Sequence, residues 1–232
     1  MRIGILAAGH APLALQGEFG DYPGMFQAML AGRGYDWRVY DSPSLEFPER
    51  PEECDGYIVT GASAGVYDPL PWIAPLQDFL VAAKGRAKLV GVCFGHQIMA
   101  QAFGGVVIKS PKGRATGLHR YGVEHRAAMM DPDPTFALAA SHQDQVVELP
   151  PHATVAAGND FCPFGMLTYD DQPAVSLQLH PEFDPGFAVA LIEGRMEEGL
   201  AESTAREAIA SLGAPNDNDR VAGWIAGFFE GR

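Results

Sequence analysis

A chain of 232 residues with 47% hydrophobic and 19% charged side chains can bury a sizeable core, which excludes the disordered and fibrous classes and fits one generous α/β domain or a domain with an appendage. Sixteen basic residues against 29 acidic ones leave a formal charge of -13, which argues against nucleic acid or an anionic membrane as partner and reads mostly as a solvated surface. Three scattered cysteines, Cys54, Cys93 and Cys162, with no Cys-x-x-Cys pair, speak against a disulfide framework, a zinc site or a dithiol centre and suit a reducing cytoplasm.

In chain order, the opening MRIGILAAGHAPLAL imitates a signal peptide, but Gly4, Gly9, His10 and Pro12 interrupt it and a strongly basic start is missing. It reads as a first strand over 2–6. Further apolar runs predict strands over 37–40, 56–60 and 88–92, and helical spacing predicts helices over 24–31, 72–83 and 95–103. Strand and helix alternating in this way imply a three-layer α/β/α sandwich on a mostly parallel sheet. After Gly104-Gly105 the texture changes to short strand-like pieces, expected as antiparallel additions, at 106–109, 117–123, 146–149, 154–157, 165–169 and 174–179. Residues 186–232 read as two or three helices broken at Gly213-Ala214-Pro215, and Phe187, Ile192, Trp224, Ile225 and Phe228 are too apolar to stay in water, so this extension is expected to pack on the domain formed by 1–185. No segment is long enough to span a bilayer, and the protein is expected in the cytoplasm.

LVGVCFGHQIMAQAFGG (89–105) carries the chemistry. Gly91-Val92-Cys93-Phe94-Gly95 has the pattern of a nucleophile elbow, in which a sharp strand-to-helix turn presents the central side chain. The flanking glycines are expected to leave room where side chains would collide in so tight a turn, and one of them to tolerate an unusual backbone angle. Cys93 then stands at the C-terminal edge of the sheet and at a helix N-terminus, where unsatisfied N-H groups favour thiolate over thiol. The N-H of Phe94, the residue after the nucleophile, is placed for an oxyanion.

Of seven histidines, SLQLHPEF (176–183) singles out His180. Pro181 holds the preceding residue extended, and residues two apart on an extended chain face the same side, so Glu182 can reach the imidazole. A carboxylate on one ring nitrogen fixes the tautomer and frees the other to move a proton to and from sulfur. Cys93, His180 and Glu182 therefore form a candidate triad. His142, in SHQDQ, offers a rival base but reads better as part of a polar loop before a strand. Asp144 and Tyr67 are candidates to touch a substrate. Asp68, Trp72, His10 and His96 are candidates for the mouth of the site, while Cys54 and Cys162 read as structural.

With both motifs in view, the sequence resembles the class I glutamine amidotransferase domain, over about residues 1 to 185. The matching residues are Gly91-Val92-Cys93-Phe94-Gly95-His96-Gln97 and His180-Pro181-Glu182. YIVTGASAGVYDPLPWIAPL (57–76) is similar to the family's loop after the third strand, where Gly61 matches the second oxyanion donor; Ala62 and Ser63 depart from the usual glycine pair. ASHQDQVVELP (139–150) resembles the segment that lines the glutamine pocket, which implies substrate binding by Gln97, His142 and Gln143. The resemblance implies a flavodoxin-like sheet and attack of Cys93 on the side-chain amide of glutamine, with a γ-glutamyl thioester, release of ammonia, and no cofactor or metal. Three readings follow from it. The first is a stand-alone amidotransferase that feeds a separate ammonia-accepting synthetase, since the chain shows no P-loop and has no room for an ATP-binding synthetase domain. The second is a γ-glutamyl peptidase acting on γ-glutamyl amides or peptides. The third is a non-catalytic binding protein on the same scaffold, against which the intact trio of residues weighs.

Overall fold

The computed structural model describes residues 1–232. Its main sheet has nine strands in the order β2-β1-β3-β4-β11-β10-β9-β6-β7. β1 (Arg2–Ala7), β2 (Asp36–Asp41), β3 (Gly56–Val59), β4 (Lys88–Val92) and β11 (Ala174–Leu177) run parallel to one another. β10 (Met166–Tyr169), β9 (Ala153–Gly158), β6 (Ala115–Val123) and β7 (Thr135–His142) continue the sheet antiparallel. β5 (Val106–Lys109) and β8 (Asp144–Glu148) form a separate antiparallel ribbon.

Central strands buried on both faces explain the unbroken apolar runs in the first half of the sequence. Ile3, Ile5, Ile58, Val90 and Val92 face one core, together with Phe26 and Leu30. Leu6, Tyr57, Val59 and Leu89 face the other, against α3 (Ile73–Ala83) and α4 (Phe94–Ala102). The first core is closed by α2 (Tyr22–Met29) and α7 (Asn218–Glu230). A third cluster seats α5 (Pro185–Glu197) and α6 (Glu202–Ser211) through Phe187, Leu191, Ile192, Ala205 and Ala208. The fold is thus α/β, with helices on both faces of a mixed sheet that is parallel at one edge. No helix is long and apolar enough to cross a membrane.

Three differences from the sequence reading have physical causes. α1 (Leu13–Phe19) is absent from the sequence reading, because it spans only seven residues and packs just Leu15 and Phe19, half-buried, on the third cluster, too short a stripe to show a period. The strand β7 was not foreseen either. Phe136 to Ala140 are buried on both faces and form an unbroken apolar run, but three of the five are alanine, which favours helix over strand, unlike the Ile- and Val-bearing runs of the parallel strands. SHQDQ is therefore the end of β7 and the start of β8 with Gln143 alone between them, not a loop of several residues. Finally, β11 stops at Leu177 rather than 179, and His180 pairs instead as an isolated antiparallel bridge with Ala139, its N-H donating to the Ala139 carbonyl at 2.9 Å.

The C-terminal helix is pinned by polar contacts as well as by its apolar face. Arg220 donates to both carboxylate oxygens of Asp131 at 2.6 and 2.8 Å, to Asp217 at 3.0 Å and to the Thr135 carbonyl at 2.9 Å. Trp224, packed edge-on against Phe136 at 5.2 Å, donates its indole N-H to Asp131 at 2.9 Å. Trp224→Ala removes both the ring and this bond, and is expected to lower the unfolding free energy by about 3–5 kcal/mol in a urea titration. A loss under about 1 kcal/mol would show that α7 does not close this face of the sheet.

Candidate active site

β4 ends at Val92, and Phe94 is already the first residue of α4. Cys93 makes this turn alone, with φ +54 and ψ -106, a conformation that costs a non-glycine residue about 1–3 kcal/mol. The flanking glycines serve space rather than backbone freedom, since neither has a positive φ. A Cβ on Gly91 would stand 2.5 Å from the Gly95 carbonyl oxygen and 2.6 Å from the Met99 sulfur, and one on Gly95 would stand 2.2 Å from the Val59 carbonyl oxygen. The Cys93 N-H donates to the Leu177 carbonyl at 2.9 Å and the Gly95 N-H to the Thr60 carbonyl at 3.1 Å, so strands on both sides of β4 fasten the turn. Cys93 is 5% exposed, and that exposure opens onto two adjoining cavities.

His180 arrives from the chain after β11. Its Nδ1 and the Glu182 Oε1 are 2.7 Å apart, both side chains being almost wholly buried. The imidazole lies flat on Phe183, with ring centroids 3.9 Å apart at 10°, which fixes its plane. Nε2, on the other side of the ring, is buried and has no aligned hydrogen-bond partner. Gly61 defines how near this ring is to the sulfur-bearing residue. A Cβ there would lie 3.2 Å from His180 Cε1 and 3.7 Å from Cys93 Cβ, so a side chain at 61 would crowd the space the two share. The Gly61 N-H makes no backbone hydrogen bond, and the Phe94 N-H belongs to the first turn of α4, where helix geometry supplies no intrahelical acceptor.

Burial alone would push the His180 imidazole down, but the Glu182 carboxylate and the Cys93 sulfur beside it outweigh that and raise it to about 10. His142 is the opposite case. Burial pushes it down to about 3, and its Nδ1 is engaged at 3.1 Å by the Asp144 carbonyl, so it stays neutral at physiological pH.

The first cavity, about 300 Å³, brings together Cys93, Gln97, His142, Gln143 and Asp144 with Tyr67 and Asp68 from the loop after β3. Gln97 donates its side-chain NH2 to the Asp144 carbonyl at 2.9 Å and to Gln178 at 3.1 Å, which leaves its carbonyl oxygen as the group free to face a ligand. Tyr67 donates to the Asp144 carboxylate at 2.8 Å. His10 lines the second cavity, its ring spanning Asp21 at 2.7 Å and Asp41 at 3.2 Å. Two residues expected at the mouth are elsewhere. His96 is fully buried on the far face of α4, bonded to Ser176 at 2.8 Å, because the turn of the elbow aims it back into the sheet. Trp72 packs on the buried Phe94 ring at 5.4 Å. Cys54 and Cys162 are buried, and burial raises both thiols.

Sequence reasoning missed Arg114 and Arg195, which line the first cavity. Partial desolvation and repulsion from Arg195 hold Arg114 below the ordinary guanidinium value, so the pair forms a cationic rim with a surplus of positive charge. The cue for Arg114 was its place in the glycine-flanked PKGRATG; Arg195, in a stretch rich in glutamate, gave none.

A family model described as glutamine amidotransferase class-I matches residues 28–192. Gamma-glutamyl peptidase 4 of Arabidopsis thaliana is 27% identical over 213 residues, which span 87% of this chain and 84% of that protein. A glutamine-hydrolyzing GMP synthase subunit from Methanopyrus kandleri is 31% identical over 112 residues, 46% of this chain and 57% of that one. The crystal structure of a glutamine amidotransferase from Thermotoga maritima superposes with a TM-score of 0.75 at 20% identity, covering 98% of this chain and 96% of that one, which speaks to the fold.

The raised His180 value has a definite sign in stability. A group whose folded value lies above its ordinary 6.5 contributes fully below that pH and loses its contribution as pH rises toward about 10. The difference in unfolding free energy between the wild type and His180→Asn, taken from urea titrations, is expected to shrink across this window. A difference that grows with pH would contradict a charged imidazole held by Glu182.

Proposed function

The chain belongs to the class-I glutamine amidotransferase family, and from that premise we propose that it hydrolyses γ-glutamyl amide bonds, that of glutamine among them, through a thioester on Cys93. The observation that carries this reading is the convergence, beside Gly61, of a strained, helix-capping cysteine with an imidazole whose far nitrogen is held by a buried carboxylate.

The steps follow from these groups. The Cys93 thiolate adds to the γ-carbonyl carbon and forms the C-S bond, while the N-H groups of Phe94 and Gly61 receive the developing oxyanion. Collapse breaks the C-N bond, and the His180 imidazolium gives its Nε2 proton to the departing nitrogen. Water then adds to the thioester, His180 takes its proton, and the thiolate leaves with glutamate as product. Glu182 keeps Nδ1 protonated and the ring oriented, and it stabilises the imidazolium in both half-reactions. In the first cavity, the Arg114 guanidinium and the Asp144 carboxylate supply opposite charges for the α-carboxylate and α-ammonium of the glutamyl unit, beside Gln97, His142 and Gln143.

A second reading makes the leaving group ammonia destined for a separate synthetase. The similarity to a glutamine-hydrolyzing GMP synthase subunit favours it. The proposed chemistry at Cys93 is the same in both.

Cys93→Ala is expected to abolish release of glutamate from glutamine and from γ-glutamyl dipeptides while circular dichroism and thermal melting stay near wild type. His180→Ala is expected to cost roughly 10³- to 10⁶-fold in kcat, and Glu182→Gln less than either. Wild-type turnover by Cys93→Ala would remove the proposal.

A further inference from the structure

The two cavities meet at Cys93, and only one of them suits the glutamyl unit. The second, about 520 Å³, begins at Gly61, Cys93 and His180 and widens between α1, α2 and α5. An ammonia molecule is about the size of water, whose share of liquid volume is roughly 30 Å³, so this space exceeds what an ammonia leaving group needs by an order of magnitude. Its wall is largely apolar. Leu15, Ala190 and Leu191 line it beside an aromatic ladder in which Tyr22 stacks on Phe183 at 6.1 Å and Phe183 stacks on the His180 ring at 3.9 Å.

The position of this ladder matters more than its size. His180 is the group that hands a proton to the departing nitrogen in the proposed mechanism, so whatever that nitrogen carries emerges along Phe183 and Tyr22. Arg195 lines both cavities. Its Nε is buried without a hydrogen-bond partner, and its one ion pair is with the exposed Glu198 at 3.5 Å. Of the other charged groups facing this space, His10 is engaged by Asp21 and Asp41, and Glu197 stands with Glu198 at the outer rim.

We propose that the second cavity is the leaving-group subsite, and that the preferred substrates are γ-glutamyl dipeptides whose C-terminal residue has an apolar or aromatic side chain, with Arg195 donating to that residue's carboxylate. This rests on the γ-glutamyl hydrolysis proposed above. The bond broken is the one between the γ-carbonyl and the α-nitrogen of the second residue, whose amine takes its proton from His180 and leaves through this cavity.

The test compares kcat/KM, by glutamate release, for γ-Glu-Phe, γ-Glu-Gly, γ-glutamyl-phenethylamide and glutamine. Burying a phenylalanine side chain is worth enough that γ-Glu-Phe is expected to exceed γ-Glu-Gly and glutamine by about tenfold or more. Ala190→Trp fills the cavity and is expected to erase most of that preference. Gly194→Leu is a second filler that folds readily, because a Cβ there meets nothing within 4 Å and leucine favours a helix over glycine. Arg195→Gln is expected to remove the wild type's preference for γ-Glu-Phe over the phenethylamide, which has no carboxylate. Equal use of all four substrates, filling variants that slow all of them alike, or an Arg195→Gln variant that keeps the wild type's preference for γ-Glu-Phe over the phenethylamide would overturn the assignment while leaving γ-glutamyl hydrolysis in place. No turnover of any substrate, with no labelling of Cys93 by a glutamine-like electrophile, would instead overturn the hydrolysis on which it rests.

Discussion

At Cys93 the main chain holds a positive φ that an L side chain rarely adopts, and the rest of the site is arranged around that single residue. The strain persists because its surroundings leave no alternative. Gly91 lets β4 lie against Gly95 and Met99 of α4, and Gly95 lets α4 press onto the Val59 carbonyl, closer than any side chain would allow, and hydrogen bonds from Cys93 and Gly95 to Leu177 and Thr60 tie the turn to the flanking segments. A relaxed turn would swing the sulfur off the helix N-terminus and away from the cavities. A cost of about 1–3 kcal/mol is modest against two dense cores that hold β4 between them.

The imidazole is delivered by a different mechanism. The sheet changes from parallel to antiparallel at β11, and the chain leaving β11 is caught by β7 through the bridge between His180 and Ala139. Phe183 then fixes the ring plane and Glu182 fixes the tautomer. β7 therefore positions the base from its middle, at Ala139, while its last residue, His142, lines the first cavity. The same stretch of strand couples the proposed proton shuttle to the proposed glutamyl pocket. α5, immediately after this segment, supplies Arg195 and the apolar wall of the second cavity.

Much of this was legible in the sequence, for reasons that differ by residue. The parallel strands showed as unbroken apolar runs, and the elbow showed because glycine-x-cysteine-x-glycine has few other uses at a strand-to-helix turn. The glycines leave room, as the sequence suggests, but the unusual backbone angle expected at one of them falls on Cys93 itself. His180 and Glu182 were legible because their spacing is local. What was hidden is non-local. β7 carries three alanines among the five buried residues Phe136 to Ala140, a composition that does not read as strand, and α1 packs only Leu15 and Phe19 on the third cluster. His96 sits two residues from Phe94 yet points to the far face, which only the turn geometry determines. Arg114 and Arg195 lie 81 positions apart in the numbering and come to line one cavity only when α5 packs beside β6.

Every step of the proposed chemistry passes through a covalent bond between the Cys93 sulfur and a γ-glutamyl carbonyl. Rapid acid quench during turnover, followed by mass spectrometry of proteolytic peptides, measures it directly. The expected result is a γ-glutamyl adduct on the peptide that contains Cys93, lost after brief mild alkali and absent from Cys54 and Cys162. Steady turnover with no adduct at Cys93, or with the adduct on either of the other cysteines, would contradict it.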